Sequence, residues 1–177
     1  NVGSAVNSVA MSYDGNYIVV GDASGNVKYY SRTSSTAQWT NNVGSSVTSV
    51  AISSDGGVVV AGSDYGWVNA YTGSSGANRF YSGTGSQVNS VAVSHGGDYI
   101  VAASNGGWVN CYPSNSGTPL WYQWTGGDAK STCCPVVVVP EGVFAGATNG
   151  WVNYFQLTSP GSPLWYAWVG GTSVVVA

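Results

Sequence analysis

Four short segments of alternating or continuous apolar residues occupy positions 47–82 of the chain. Val47–Ser53 alternates apolar with small polar residues, a period of two that predicts a β-strand. After an Asp-Gly turn, the unbroken apolar run Val58–Gly62 predicts a strand covered on both faces. Trp67–Tyr71 and Asn78–Ser82 predict two more strands, bounded by Gly- and Ser-rich turns. We therefore expect four antiparallel strands from these residues.

The same pattern recurs along the chain. The segment Ser8–Gly21 returns as Ser49–Gly62 and as Ser90–Ala103, each 41 residues further on, and a degenerate fourth copy begins near Ser131. Repeats of about 40–45 residues that are rich in short strands indicate the blades of a β-propeller. The predicted fold is all-β: one domain over residues 1–177, with blades of four antiparallel strands at about 1–41, 42–82, 83–125 and 126–169.

The last residues, 170–177, repeat the start of a first strand and predict an extra strand, the stub of a fifth repeat. Three interpretations are open. The chain is a piece of a longer propeller, or a closed four-bladed ring with a spare strand, or a ring whose spare strand pairs with another subunit. In the third case Thr172, Val174 and Val176 belong to the interface.

Two families of repeat share motifs with these segments. The S-x-D-G-x-Y-I-V-x-G stretch resembles the second half of a WD repeat, although the Gly-His opening and the closing Trp-Asp pair are missing. GWVNAYTGSSGANRF (Gly66–Phe80) and its two later copies resemble quinoprotein-like (PQQ-like) repeats. The resemblance implies a propeller of the WD or quinoprotein-like sort, as in microbial surface proteins with such repeats. It assigns no cofactor residue to this chain, and we expect no cofactor.

Charge is scarce in this chain. Lys and Arg number 4 and Asp and Glu number 7, so 6% of residues are charged, against roughly 25% in ordinary domains. Little electrostatic repulsion then keeps molecules apart, which suits a protein that lives in an assembly, in an extracellular or cell-surface setting. A net charge of −3 without a basic cluster argues against nucleic acid. Without an apolar run of about 18 residues, no membrane span is expected.

Groups able to do chemistry are also few. His95, the single histidine, lies in a turn beside Ser94 and Asp98, and adjacent turn residues rarely converge as a catalytic triad does. Asp14 and Asp55 hold equivalent turn positions, which indicates a structural role. Neither a metal-ligand cluster nor a phosphate loop is present in the sequence. We therefore predict a protein that is not an enzyme.

The three cysteines fall in the third and fourth repeats. Cys111 is predicted to form a disulfide with Cys133 or Cys134 if the chain is secreted. The alternative is that all three are small buried apolar residues.

Two aromatic sets remain. Trp67, Trp108 and Trp151 open the third strand of successive repeats, either as an aromatic platform for a protein or carbohydrate partner or as wedges between blades. The second set lies on the outermost strands and is predicted to be in part solvent-facing or partner-facing: Trp121, Tyr122, Trp124, Trp165, Tyr166 and Trp168.

Together these patterns predict a structural component of a surface layer, matrix or filament. It would be a homo-oligomer or polymer that associates through edge strands and outer aromatic residues. The alternative is a ligand-binding or enzymatic fragment of a larger quinoprotein-like propeller.

Overall fold

The structure, a computed structural model, describes residues 3–126, 136–147, 149–158 and 163–170. These residues form sixteen β-strands in four antiparallel sheets, each with its strands in chain order. Blade 1 contains β1 (Val6–Met11), β2 (Tyr17–Asp22), β3 (Asn26–Ser31) and β4 (Trp39–Asn42). Blade 2 contains β5 (Val47–Ile52), β6 (Val58–Ser63), β7 (Trp67–Thr72) and β8 (Asn78–Gly83). Blade 3 contains β9 (Val88–Val93), β10 (Tyr99–Ser104), β11 (Trp108–Pro113) and β12 (Trp121–Trp124). Blade 4 contains β13 (Val136–Val139), β14 (Gly142–Gly146), β15 (Trp151–Gln156) and β16 (Trp165–Trp168).

The predicted strands of the second repeat agree with β5 to β8 to within a residue at each end. The turns between first and second strands also match, because Gly15 and Gly56 have φ angles of 68° and 75°, a left-handed region that favours glycine. The all-β propeller prediction is therefore confirmed. The proposed extra strand, with Thr172, Val174 and Val176, lies outside the described residues.

Hydrogen bonds from the first strands tie each blade to the next. The hydroxyl oxygen of Ser8 accepts the backbone N–H of Val50 at 3.0 Å, and Ser49 accepts that of Val91 at 3.1 Å. A register shift in β1 falls at Asn7, whose Nδ2 donates to the Val47 carbonyl oxygen at 2.9 Å. The repeated Ser-Val pair of the sequence is thus an inter-blade contact as well as a strand signal.

Three hydrophobic clusters fill the spaces between successive blades. One lies between blades 1 and 2, one between blades 2 and 3, and one between blades 3 and 4. In the middle cluster Val60 and Ala70 of blade 2 face Val88 and Ala102 of blade 3, and all four are fully buried. Each buried valine contributes on the order of 1.5–3 kcal/mol relative to exposure.

The four blades form an open arc. Inner strands pack in sequence, β1 on β5, β5 on β9 and β9 on β13, and no comparable packing joins β13 to β1 among the described strands. Val6, Val9 and Met11 of β1 are 47%, 58% and 61% exposed, whereas Val47 and Val50, the counterparts of Val6 and Val9, are 0% and 6% exposed. The described strands therefore do not form the closed four-bladed ring considered from the sequence.

Candidate functional site

A tryptophan and a tyrosine pair edge to face on each of blades 2, 3 and 4. The ring centroids lie 5.9 Å apart in Trp67–Tyr81, 5.8 Å in Trp108–Tyr122 and 5.4 Å in Trp151–Tyr166, with interplanar angles of 65° to 69°. The tryptophan opens the third strand, and the tyrosine sits opposite an asparagine two residues further along that strand. The shared register of third and fourth strands places the three pairs at equivalent positions in their blades.

Each of the last two pairs lines a cleft at a blade boundary. Between blades 2 and 3 the cleft has a volume of about 180 Å³ and is lined by Thr84, Trp108, Asn110 and Tyr122. Between blades 3 and 4 it has a volume of about 250 Å³ and is lined by Trp124, Thr125, Gly126, Asn149, Trp151, Asn153 and Tyr166. Trp67 and Trp108 are each 41% exposed, so these rings both contact their blades and face solvent. The platform and the wedge interpretations of Trp67, Trp108 and Trp151 therefore both stay predictions.

An asparagine lies beside each tryptophan–tyrosine pair and supplies a polar side-chain amide. Asn110 Nδ2 donates to the Tyr112 hydroxyl at 3.0 Å, and Asn153 Nδ2 donates to the Thr125 carbonyl oxygen at 3.4 Å. Asn69 Nδ2 is buried and has no hydrogen-bond partner among the described residues. Ring faces beside amide groups suit a partner with mixed apolar and hydrogen-bonding surface, such as a peptide or a sugar.

Blade 1 departs from this pattern. In place of tryptophan and asparagine it has Asn26 and Lys28, and Lys28 Nζ lies 3.4 Å from Asp22 Oδ2. Burial opposes ionisation of Asp22, but hydrogen bonds from Asn26 and the nearby Lys28 charge outweigh it and lower the pKa of that carboxyl. The tryptophan–tyrosine pairs therefore occur on blades 2 to 4 and not on blade 1.

The outer strands divide their aromatic residues between the inside and the outside. Trp121 is only 4% exposed and packs in the cluster between blades 3 and 4, so it is not available as an interface residue. Its ring contacts that of Phe155 in blade 4, with centroids 5.5 Å apart and an interplanar angle of 35°. The other outer aromatic residues predicted from the sequence remain between 46% and 65% exposed: Tyr122, Trp124, Trp165, Tyr166 and Trp168.

Sequence reasoning missed Tyr81, which is 67% exposed and completes the first edge-to-face pair. The signal was present, because Tyr81, Tyr122 and Tyr166 occupy the same position of the fourth strand in three blades.

The titratable turn residues have structural contacts. The His95 ring lies edge to face with Tyr13, centroids 6.0 Å apart, while Ser94 Oγ accepts the backbone N–H of Tyr99. Ser53 Oγ donates to Asp55 Oδ1 at 2.6 Å, which together with the Gly57 amide lowers the pKa of Asp55. Asp14 is held in the same way, by Ser12 first and then by the Asn16 amide. Neither a Ser/His/Asp hydrogen-bond chain nor a metal-binding group of three His, Cys, Asp or Glu side chains occurs within the described ranges.

Cys111 is a free thiol buried between blades 3 and 4, and burial raises its pKa to about 12. The predicted disulfide from Cys111 to Cys133 or Cys134 is therefore not formed in the structure, where Cys133 and Cys134 themselves lie outside the described residues. No helix in the described part of the chain is long and apolar enough to cross a membrane.

Comparison with known proteins identifies the repeat. The family model for the WD domain, G-beta repeat (WD40), matches residues 2–31, 35–69 and 77–112, which together make up more than half of the chain. The chain therefore belongs to the WD40 repeat family, and it is a β-propeller scaffold of the kind that mediates protein interactions. A search of curated proteins finds no match.

Solved propeller structures are similar to the chain over nearly its whole length. BamB from Moraxella catarrhalis is 24% identical with a TM-score of 0.80, and the match covers 93% of this chain and 49% of BamB. A chain of the Mitotic Checkpoint Complex is 19% identical with a TM-score of 0.82, covering 97% and 53%. The β-propeller domain of Myceliophteria thermophila Cps50 (Swd1) is 13% identical with a TM-score of 0.82, covering 98% and 60%. The chain thus spans about half the length of these structures.

Proposed function

We propose that this WD40 propeller is a non-enzymatic structural subunit, extracellular or on the cell surface, that self-associates into a layer, matrix or filament. The observation that carries the proposal is the set of exposed rings on the outer strands. Tyr122, Trp124, Tyr166 and Trp168 are each more than half exposed, and they lie on two adjacent blades. Aromatic residues are the commonest anchors of protein interfaces, and a contiguous exposed set marks an interaction surface.

The scarcity of charge supports the same proposal. Only 11 Lys, Arg, Asp and Glu side chains are spread over 177 residues, so two such surfaces approach each other without strong repulsion. A surface of this composition also changes its charge little with pH, which suits a protein exposed to the outside of a cell.

The experiment replaces Tyr122, Trp124, Tyr166 and Trp168 together by serine. We expect the assembly of the wild-type protein, followed by light scattering and negative-stain electron microscopy, to be lost while circular dichroism stays unchanged. The matched control replaces the same number of exposed polar residues of the blade 1 loop, Thr33, Ser34, Ser35 and Thr36, by alanine. Assembly by the aromatic variant at the wild-type concentration would refute the proposal.

A second candidate is a ligand-binding or enzymatic piece of a larger propeller. The open arc and the half-length match to solved propellers favour it. The discriminating observation is the encoding gene, because a reading frame that continues into more repeats supports this candidate.

A further inference from the structure

Two clefts at consecutive blade boundaries share one set of residue types. In each cleft a threonine of the preceding blade lies with the tryptophan, the asparagine and the tyrosine of the blade that follows. These residues are Thr84, Trp108, Asn110 and Tyr122 between blades 2 and 3, and Thr125, Trp151, Asn153 and Tyr166 between blades 3 and 4. Their volumes of about 180 and 250 Å³ lie below the roughly 300–1,000 Å³ of sites for drug-sized ligands, so each cleft suits one ring of a ligand.

The asparagines of the cleft between blades 3 and 4 direct Nδ2 into the protein. Asn153 Nδ2 donates to the Thr125 carbonyl oxygen at 3.4 Å, and Asn149 Nδ2 donates to that of Gly126 at 2.6 Å. The Oδ1 atoms are then left to act as acceptors. Asn149 Oδ1 is buried and has no hydrogen-bond partner among the described residues. An acceptor of this kind is stabilised by a ligand that brings a donor to it.

The threonines present further acceptors. Thr84 Oγ1 donates to the Ser86 carbonyl oxygen at 2.7 Å, and Thr125 Oγ1 donates to that of Gly107 at 3.0 Å. A hydroxyl group has one proton and two lone pairs, so each threonine oxygen still accepts a hydrogen bond. The clefts therefore favour a ligand rich in donors. A sugar carries several hydroxyl donors on each ring, whereas a peptide has one backbone N–H per residue.

The tryptophans provide the apolar surface of the clefts. Trp108 is held edge to face by Tyr122 with ring centroids 5.8 Å apart, yet 41% of its surface stays exposed. The tyrosine thus fixes the indole in place without covering it. An aromatic face is electron-rich, so it attracts the weakly positive C–H groups on the flat side of a sugar ring.

The cleft between blades 3 and 4 has a second indole ring. Trp124 lies opposite Trp108 in the strand register and lines this cleft together with Trp151. The corresponding residue of blade 2, opposite Trp67, is Gly83. The cleft between blades 2 and 3 therefore has one tryptophan where the later cleft has two, and we expect it to bind the same ligand more weakly.

The boundary between blades 1 and 2 provides an internal comparison. The backbone N–H of Val43 donates to the Gly25 carbonyl oxygen as that of Thr84 donates to Gly66, so Val43 holds the threonine position there. Valine offers no acceptor. Trp67 is paired with a tyrosine like the other two tryptophans, but it lacks the threonine oxygen beside it.

Charge is absent from both clefts. The residues that line them are aromatic, amide, hydroxyl and glycine residues. An acidic ligand would lose water there without gaining a cation, and a basic ligand would gain no carboxylate. The lining therefore favours a neutral ligand.

We propose that the cleft between blades 3 and 4 binds one unit of a neutral carbohydrate chain, and that the cleft between blades 2 and 3 binds a second unit more weakly. The sugar ring stacks on Trp151 and Trp124, and its hydroxyl groups donate to Thr125, Asn149 and Asn153. This inference goes beyond the self-association proposed above, because it assigns a different partner. Trp124 and Tyr166 take part in both proposals, whereas Trp151 belongs to the cleft alone.

The test is isothermal titration calorimetry of the purified full chain with three neutral β-linked probes, cellohexaose, xylohexaose and mannohexaose. We expect at least one of them to bind. Trp124→Ala and Trp151→Ala should each weaken that binding about tenfold, since each removes a stacking ring. Trp124 is more than half exposed, so this variant should keep its fold, which circular dichroism checks. The matched control is Trp67→Ala, which removes a tryptophan from the equivalent strand position and should leave the affinity unchanged.

Two further probes test the chemistry of the ligand. Trigalacturonic acid, a charged sugar chain, and decaproline, a peptide that favours aromatic grooves, should both bind more weakly than the best neutral sugar. The inference is overturned if none of the three neutral sugars binds, if decaproline or the acidic sugar binds more tightly, or if Trp67→Ala weakens binding as much as Trp151→Ala. Trp151→Ala should still assemble, so loss of sugar binding and loss of assembly are separate results.

Discussion

The indole N–H of Trp121 donates to the carbonyl oxygen of Leu157 at 2.9 Å across the boundary between blades 3 and 4. Both residues are at most 5% exposed, so neither group has water as an alternative partner. A tryptophan at the end of a blade thus combines apolar contact with a specific hydrogen bond to the blade that follows.

Replacing Trp121 by phenylalanine should lower the free energy of unfolding by about 1–3 kcal/mol, because it leaves the buried Leu157 carbonyl unpaired. Trp168→Phe is the control, since Trp168 is 63% exposed and its change should stay within about 0.5 kcal/mol. Urea titration followed by circular dichroism measures both variants. Equal midpoints for the two would contradict the assigned role of Trp121.

Alanine substitutions at Gly66 and Gly85 distinguish the cost of a strained backbone from the cost of close packing. Both have left-handed φ angles, 83° and 80°, but a Cβ at Gly66 would lie 2.6 Å from the Ser86 carbonyl oxygen, whereas one at Gly85 meets nothing within 4 Å. Gly85→Ala should cost about 1–2 kcal/mol from the left-handed backbone alone. Gly66→Ala should cost about 1–3 kcal/mol more, because the blade 2 turn must shift away from Ser86. Thermal unfolding of the two variants that gives the same midpoint would show that this turn has room to move.

The Asp55 carboxylate should stabilise the protein in a pH-dependent way. Hydrogen bonds from Ser53 and the Gly57 amide lower its pKa from the ordinary value of 3.8. The folded pKa is the lower one, so the stabilisation is fully present above the unfolded-state pKa and is lost as the pH falls through the folded value. Asp55→Asn keeps an acceptor oxygen but removes the charge. Because solvent screens this exposed carboxylate, the variant should cost about 0–1 kcal/mol at pH 7 and less at pH 3.

The control is Thr36→Ala, an exposed loop substitution in blade 1 that involves no ionisable side chain. Its effect on the urea midpoint should be the same at the two pH values. If the urea midpoints of Asp55→Asn and the wild type differ by the same amount at both pH values, the charge of Asp55 does not account for the difference.

The Cys111 thiol should be inert until the protein unfolds. It is fully buried, and its pKa of about 12 leaves almost no thiolate at neutral pH. In a Cys133→Ser, Cys134→Ser background, iodoacetamide should label Cys111 at a rate limited by unfolding, and urea should speed the labelling. Rapid labelling under native conditions, measured by intact mass, would contradict the burial of Cys111 between blades 3 and 4.

The strands could be predicted from the sequence because each blade repeats the same pattern. The run Val58–Gly62, for example, predicts a strand covered on both faces, and β6 is buried throughout. It did not reveal which apolar residues stay uncovered. Val9 and Val50 are equivalent in the repeat, yet one is 58% and the other 6% exposed, since that difference depends on whether a preceding blade is present.

The exposure of Trp121 and Trp165 could not be predicted from the sequence either. Both occur in Pro-Leu-Trp-Tyr segments, but Trp121 lies beneath blade 4 and Trp165 does not. The pairing of each cleft tryptophan with a tyrosine required the register between third and fourth strands, which repeat spacing alone does not give.

The most direct measurement is the state of the wild-type protein in solution, by sedimentation velocity from about 1 to 100 µM. A self-associating propeller subunit predicts species larger than the 18.1 kDa chain that grow with concentration. A single species of one chain across the whole range, with its blades folded, would contradict self-association and the structural role proposed from it.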